Sequence, residues 1–372
     1  MNQPAGINAI RRQLLAAGLG TAVAALLPWR VQAATSGLQL IAPARFNQEY
    51  VLARLDEKLS SNLDTGMPFR GHDLKLDPFN LNRALIIERR PGTRVMEVDL
   101  AAGKTTNVWH AEENRHFYGH ACFSRDGKTL FITENDIDSG DGILSVRDAR
   151  DFSLLDEYLT EGIGPHELLL MPDGVTMVVA NGGVLTFPET GRVKLNRGRI
   201  ISSLAYIDIR DGKLIDKFVV PIPQMSLRHL ALTPDGHIGG AMQYEGNRKE
   251  GQPLMIFHKG ETELQLAAAP QAAWDRMANY AASIAYDERS QCFAITCPKG
   301  DTTAFWKADR SFKGELSLAK ASGVTFDQGQ GYVSNELGEI YRVDMSSLKA
   351  SLHAHHPGLE WDNHLYLGRD SA

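Results

Sequence analysis

The sequence has few cysteines, little excess charge of either sign and no long apolar run. Each shortage closes off a class of protein. Three cysteines, Cys122, Cys292 and Cys297, are too few for a disulfide framework. Cys292 and Cys297 are five residues apart. On one extended strand that spacing points them to opposite faces, beyond bonding distance, so buried free thiols are expected. No C-x-x-C-H occurs, which argues against covalent haem. No G-x-S-x-G occurs either, which argues against a serine hydrolase. A net charge of -6 supplies no basic face for nucleic acid. The apolar stretch from Leu14 to Leu27 is shorter than a comfortable membrane span. What the chain does have is material for a core, with 43% hydrophobic residues among 372.

The first residues read as an address. Arg11 and Arg12, followed by Gln13, Leu14 and Leu15, resemble a twin-arginine export motif. The weakly apolar run follows, and Val31-Gln32-Ala33 has the small-x-small form of a cleavage site. Residues 1–33 are therefore expected to be a twin-arginine signal peptide. Residues 34–372 are expected to form one domain that works folded in a bacterial periplasm, with no membrane span once the signal is removed.

A repeat runs through this remainder. Short apolar strands lead into an Asp/Gly/Pro turn and a second apolar strand, as in His120-ACFSRDGKTLFITEN, His166-ELLLMPDGVTMVVAN and His229-LALTPDGHIGGAMQ. Looser copies begin at His72, Ser283 and Gly323. Turns of the D-G type and period-2 patterns indicate β-hairpins, and a third strand usually follows each pair. Repeats of this size indicate a β-propeller. The Gly/Arg-rich stretch from Leu185 to Ser202 reads as an insertion loop, and residues 268–282 as room for a short helix. His364-LYLG reads as one more inner strand, and residues 38–56 as outer strands of the same blade. The expected fold is thus all-β: a seven-bladed propeller closed by pairing of N- and C-terminal strands, which removes exposed sheet edges.

Aligning the copies puts one residue type in one place. The inner strands would start at His72, His120, His166, His229, Ser283, Gly323 and His364, so five histidines converge on the axial mouth. The second strand returns to the same end with Glu88, Glu134, Asn135, Asn181, Gln243 and Asn335. Three readings compete. Neutral imidazoles backed by carboxylates and amides would suit a metal ion such as copper, iron or zinc. A general base such as His166 beside Glu134 or Glu167, with Glu134, Asn135 and Asn181 to hold a divalent ion, would suit a propeller hydrolase of lactonase type. Histidines that only tie blades together would suit a non-catalytic scaffold. Arg70 and Arg228, each beside a ring histidine, would suit an anionic ligand. His110 and His116 flank a loop with Glu112 and Glu113 that reads as solvated.

The motifs R-G-H at 70–72, Y-G-H at 118–120, T-E-N-D at 133–136, G-P-H-E at 164–167, A-N-G-G at 180–183, L-R-H-L at 227–230 and W-D-N-H at 361–364 resemble domain-of-unknown-function family 1513. That resemblance implies a twin-arginine-exported, seven-bladed propeller. It also implies a setting among imelysin-like and di-haem oxidoreductase-like proteins, and hence periplasmic metal uptake. It assigns no catalytic residue.

Overall fold

A computed structural model describes residues 38–56, 61–247 and 251–369. The expected signal peptide lies outside them. Seven antiparallel sheets form a ring: a seven-bladed β-propeller, as the repeat predicts. Six blades take four consecutive strands each, and their innermost strands are Gly71–Asp77, Arg115–Phe123, Pro165–Leu170, Met225–Leu232, Ser283–Asp287 and Ala321–Asp327. We number these blades 1 to 6.

Blade 7 closes the ring. Its innermost strands, Leu359–Trp361 and Tyr366–Arg369, both pair with Leu38–Phe46, and Glu49–Leu55 and Ser61–Gly66 follow outward. The C-terminal segment therefore lines the axis while the N-terminal segment builds the outside of the same blade, as expected.

The strand order explains the residue pattern. Second strands such as Thr129–Asp136 and Thr176–Asn181 are covered by neighbouring blades on both faces and are buried almost throughout. They read as apolar runs for that reason. Outermost strands such as Leu154–Leu159 face solvent and are mostly exposed. The core lies between blades: Phe131 and Leu144 of blade 2 pack with Leu168, Met177 and Val179 of blade 3. Hairpin turns use the glycines that the D-G signals supply, with Gly127, Gly174 and Gly236 at φ 68°, 74° and 88°, a region costly for side chains with a Cβ. The insertion from Leu185 to Ser202 is a loop with one 3-10 turn, Pro188–Thr190. The short helix is Gln271–Arg276.

All three cysteines are free, with Cys292 and Cys297 buried at the two ends of one strand and Cys122 only half-buried. Among the described residues no helix is long and apolar enough to cross a membrane.

Candidate metal centre

The inner strands share an irregularity that decides where their side chains point. In blades 1, 2, 3, 4 and 6 the pairing of the first strand with the second slips near its start, between Gly71 and Asp73, Phe117 and Ala121, Pro165 and Leu168, Leu227 and His229, and Ala321 and Val324. Blade 7 has a break between Trp361 and Tyr366. A β-bulge leaves a residue out of the ladder and re-aims its side chain. His72, His120 and His166 sit within these slips, His229 ends one, and His364 lies in the break. Blade 5 pairs in unbroken register from Ser283 and has no histidine there.

The five imidazoles meet on the axis. Ring centroids are 4.8 Å apart for His72–His120, 5.2 Å for His120–His229, 4.6 Å for His229–His364 and 4.9 Å for His364–His72. One ring nitrogen from each of these four residues lies within 4.8 Å of the other three. His166 stands beside them, its Nε2 3.5 Å from Nε2 of His72. All five are nearly inaccessible, at 7% exposure or less. The cluster is thus inside the channel and does not ring an open mouth, because a layer of arginines covers it.

Two carboxylates orient the cluster from its other side. Asp73 Oδ2 accepts the backbone N–H of Ala121 at 3.2 Å and lies 3.4 Å from Nδ1 of His120. Glu167 Oε2 accepts the N–H of Leu230 at 2.8 Å and lies 3.3 Å from Nδ1 of His229. The same arrangement occurs twice: an acid directly after one blade's histidine caps the next blade's bulge and faces its imidazole. Such carboxylate–histidine contacts fix the tautomer and raise ligand basicity. Burial alone would raise the Asp73 pKa, but Lys75, 3.1 Å away, and His120 outweigh it and hold the group below its usual range. The Tyr366 hydroxyl donates to Asp73 Oδ1.

Burial, followed by mutual repulsion within the cluster and from nearby arginines, pushes His72, His166, His229 and His364 well below the ordinary imidazole pKa. These side chains are neutral at neutral pH, and each offers a lone pair. Nδ1 of His72 and His166 and Nε2 of His120 and His364 have no hydrogen-bond partner. Buried polar atoms without partners are rare and costly. Several in one place are what a cation would satisfy.

The remaining residues singled out in the sequence do not join the imidazole cluster. The second strands do return to this end, with Glu88 opposite Gly71, Asn181 opposite Pro165 and Asn335 opposite Ala321. Their side chains turn to local bonds. Glu88 holds Arg94 at 2.6 Å, and the buried Glu134 holds Arg147 at 2.9 Å. Asn135 donates to Asp136 O, Asn181 to Thr160 O, and Asn335 to Ala319 O and Glu339. Gln243 donates to Ala281 O and also lines the pocket above the histidines. Arg70 pairs with Asp362 at 2.5 Å, whereas Arg228 is buried against that pocket.

His116 corrects an expectation. It is fully buried, and desolvation lowers its pKa to about 4, because its strand runs inside blade 2. Neighbouring Glu112 pairs with Arg147. Asp73, Arg89 and Arg90 escaped the sequence reading. The H-D and H-E dipeptides at 72–73 and 166–167 were a usable signal for the acids. Glu167, which the sequence sets beside His166, faces the next blade instead.

A sequence model of the family described as protein of unknown function (DUF1513) matches residues 65–368. No curated protein matches the sequence. Among solved structures, hydrazine synthase of Kuenenia stuttgartiensis is similar, with a TM-score of 0.60 at 16% identity, covering 85% of this chain and 95% of that one. At that identity the likeness is one of fold.

Proposed function

We propose that this chain, which belongs to the DUF1513 family, holds a transition-metal ion at the axial imidazole cluster. The observation that carries the reading is four buried imidazole nitrogens from four blades, all within 4.8 Å of one another. Metal–imidazole bonds of about 2.0–2.1 Å set tetrahedral ligands about 3.3 Å apart, so the nitrogens would draw together by up to about 1.5 Å on binding. His72, His120, His229 and His364 would be the ligands, with His166 alongside. Asp73 and Glu167 would orient His120 and His229. An all-nitrogen donor set without thiolate suits copper, iron or zinc. The lactonase-type alternative is less well supported: Glu134 is held by Arg147 and the Asn135 and Asn181 amide groups donate to nearby carbonyls, although each of the three keeps one buried acceptor oxygen without a partner.

Residues Arg11 to Ala33 support export by the twin-arginine route and work in the periplasm. That route carries folded cargo and would allow the ion to be loaded before export. Periplasmic metal handling, alongside imelysin-like or di-haem oxidoreductase-like proteins, is the setting this reading favours.

Elemental analysis of protein isolated from its native host tests the proposal, beside a His72→Gln/His229→Gln variant. About one copper, iron or zinc per chain, lost in the variant, is expected. A folded native protein without metal overturns it, as does a variant that keeps its metal.

A further inference from the structure

The layer that covers the histidines is itself unusual. A pocket on the axis has His72, His166 and His229 as its floor and Arg89, Arg90, Arg192 and Arg228 around it. Arg228 is 1% exposed, and all three of its guanidinium nitrogens lack a hydrogen-bond partner. Arg90 is 6% exposed, with Nη1 unpartnered and the guanidinium 5.9 Å from the Tyr118 ring centroid. Nearby acids are committed elsewhere. Asp362 is shared by Arg70 and Arg89, and Glu245 pairs with Lys194.

Two buried guanidiniums thus face one pocket without dedicated counter-charge. Guanidinium does not escape by losing its proton. Burial and the nearby Arg228 push Arg90 only as far as about 9, so it stays ionised at neutral pH. An uncompensated buried charge is the costly case, and a partner of opposite sign relieves it. Arg192 adds charge from the insertion loop. It is exposed as a residue, yet desolvation and the repulsion of Arg89 and Arg90 lower its head group to about 10. Room is limited: the free volume is about 10 Å³, close to the least that admits one water-sized guest.

We propose that this arginine-walled pocket binds a small oxyanion of the formate or nitrite class, held by Arg90 and Arg228 directly above the imidazole cluster. The planar guanidinium fork matches two oxygens on one centre, and a pocket this small must open slightly to take even three heavy atoms, which disfavours the larger tetrahedral oxyanions. The site rests on the arginines alone and does not require the metal.

Chelator-treated, full-length mature protein is titrated calorimetrically with sodium formate. Its thermal midpoint is then compared in formate, nitrite, chloride and sulfate at equal ionic strength. Formate and nitrite are expected to bind and to raise the midpoint above that in chloride or sulfate. Arg228→Gln is expected to weaken formate at least tenfold. It removes an unpaired buried charge, so it is not expected to prevent folding. Arg192→Gln, on an exposed loop, gives a second reading with a smaller loss of affinity. Equal midpoints in all four salts overturn the proposal, as does unchanged formate affinity in both variants. Because no metal is present, these outcomes are independent of whether the histidines hold one.

Discussion

Acidification of the metal-free protein should destabilise it steeply, and the size of the effect follows from the burial of the imidazoles. His72, His166, His229 and His364 have folded-state pKa values well below the ordinary one of 6.5. In the unfolded chain they titrate near 6.5. Below that value the unfolded state binds protons that the folded state does not, so stability is full above about pH 7.5 and falls as pH drops. For one such group the loss between pH 7.5 and 5.5 is about 1.4 kcal/mol, and for four about 5 to 6 kcal/mol. That is a large share of the roughly 5–15 kcal/mol of an ordinary domain. His116, lowered to about 4 by burial, adds a similar increment outside the cluster. The depressed carboxyl of Asp73 works at lower pH, below the ordinary aspartate range, and does not enter this window. Urea unfolding of chelator-treated protein at pH 7.5, 6.5 and 5.5 measures the slope. A His72→Gln/His229→Gln variant, measured in parallel, isolates the contribution of two rings. The variant should lose about 3 kcal/mol less over the same range. A wild-type loss below about 2 kcal/mol, or identical slopes in the two proteins, would refute the picture of neutral, desolvated imidazoles.

Other outcomes follow from single contacts. Glu167→Gln removes the charge that faces His229 Nδ1 while keeping an acceptor for the Leu230 N–H. Competition with a chelator should show metal affinity falling about 10- to 100-fold in a protein that still folds. Arg147→Ala leaves the fully buried Glu134 without its cation, and denaturant titration should show a loss of about 3–5 kcal/mol. Trp306 is fully buried, stacks on Trp274 at 5.4 Å and donates to Ala268 O. Trp306→Ala should cost about 3–5 kcal/mol by the same measurement.

The propeller was legible because its signals are local. The first hairpins of blades 2, 3, 4 and 6 carry their own turn glycine, and apolar second strands recur from blade to blade. The histidines were legible for the same reason, since one position in the repeat held them. The sequence does not display the bulges, which are properties of pairing between strands and set where each imidazole points. The second ring does not converge because a strand end fixes a residue's position but not the direction of its side chain. Asn181 and Asn335 reach the right end of the blade, but their amides serve the carbonyls of Thr160 and Ala319. The arginine layer was half visible. Arg228 was found through its neighbour His229, while Arg89 and Arg90 reach the axis from beyond the second strand of blade 1, where no repeat marks them.

The way the ring is fastened bears on the cluster. Blade 7 is itself the join, its C-terminal strands laid against its N-terminal ones, and blade 1 follows directly on the N-terminal part. His72 comes from blade 1 and His364 from blade 7, 4.9 Å apart by ring centroid. An ion bound by both would span the seam like a clasp, joining parts of the chain separated by nearly its whole described length. A ring with its last segment undocked would lack that imidazole and hold the ion poorly. A loaded ion would in turn resist the opening of the circle at its weakest join.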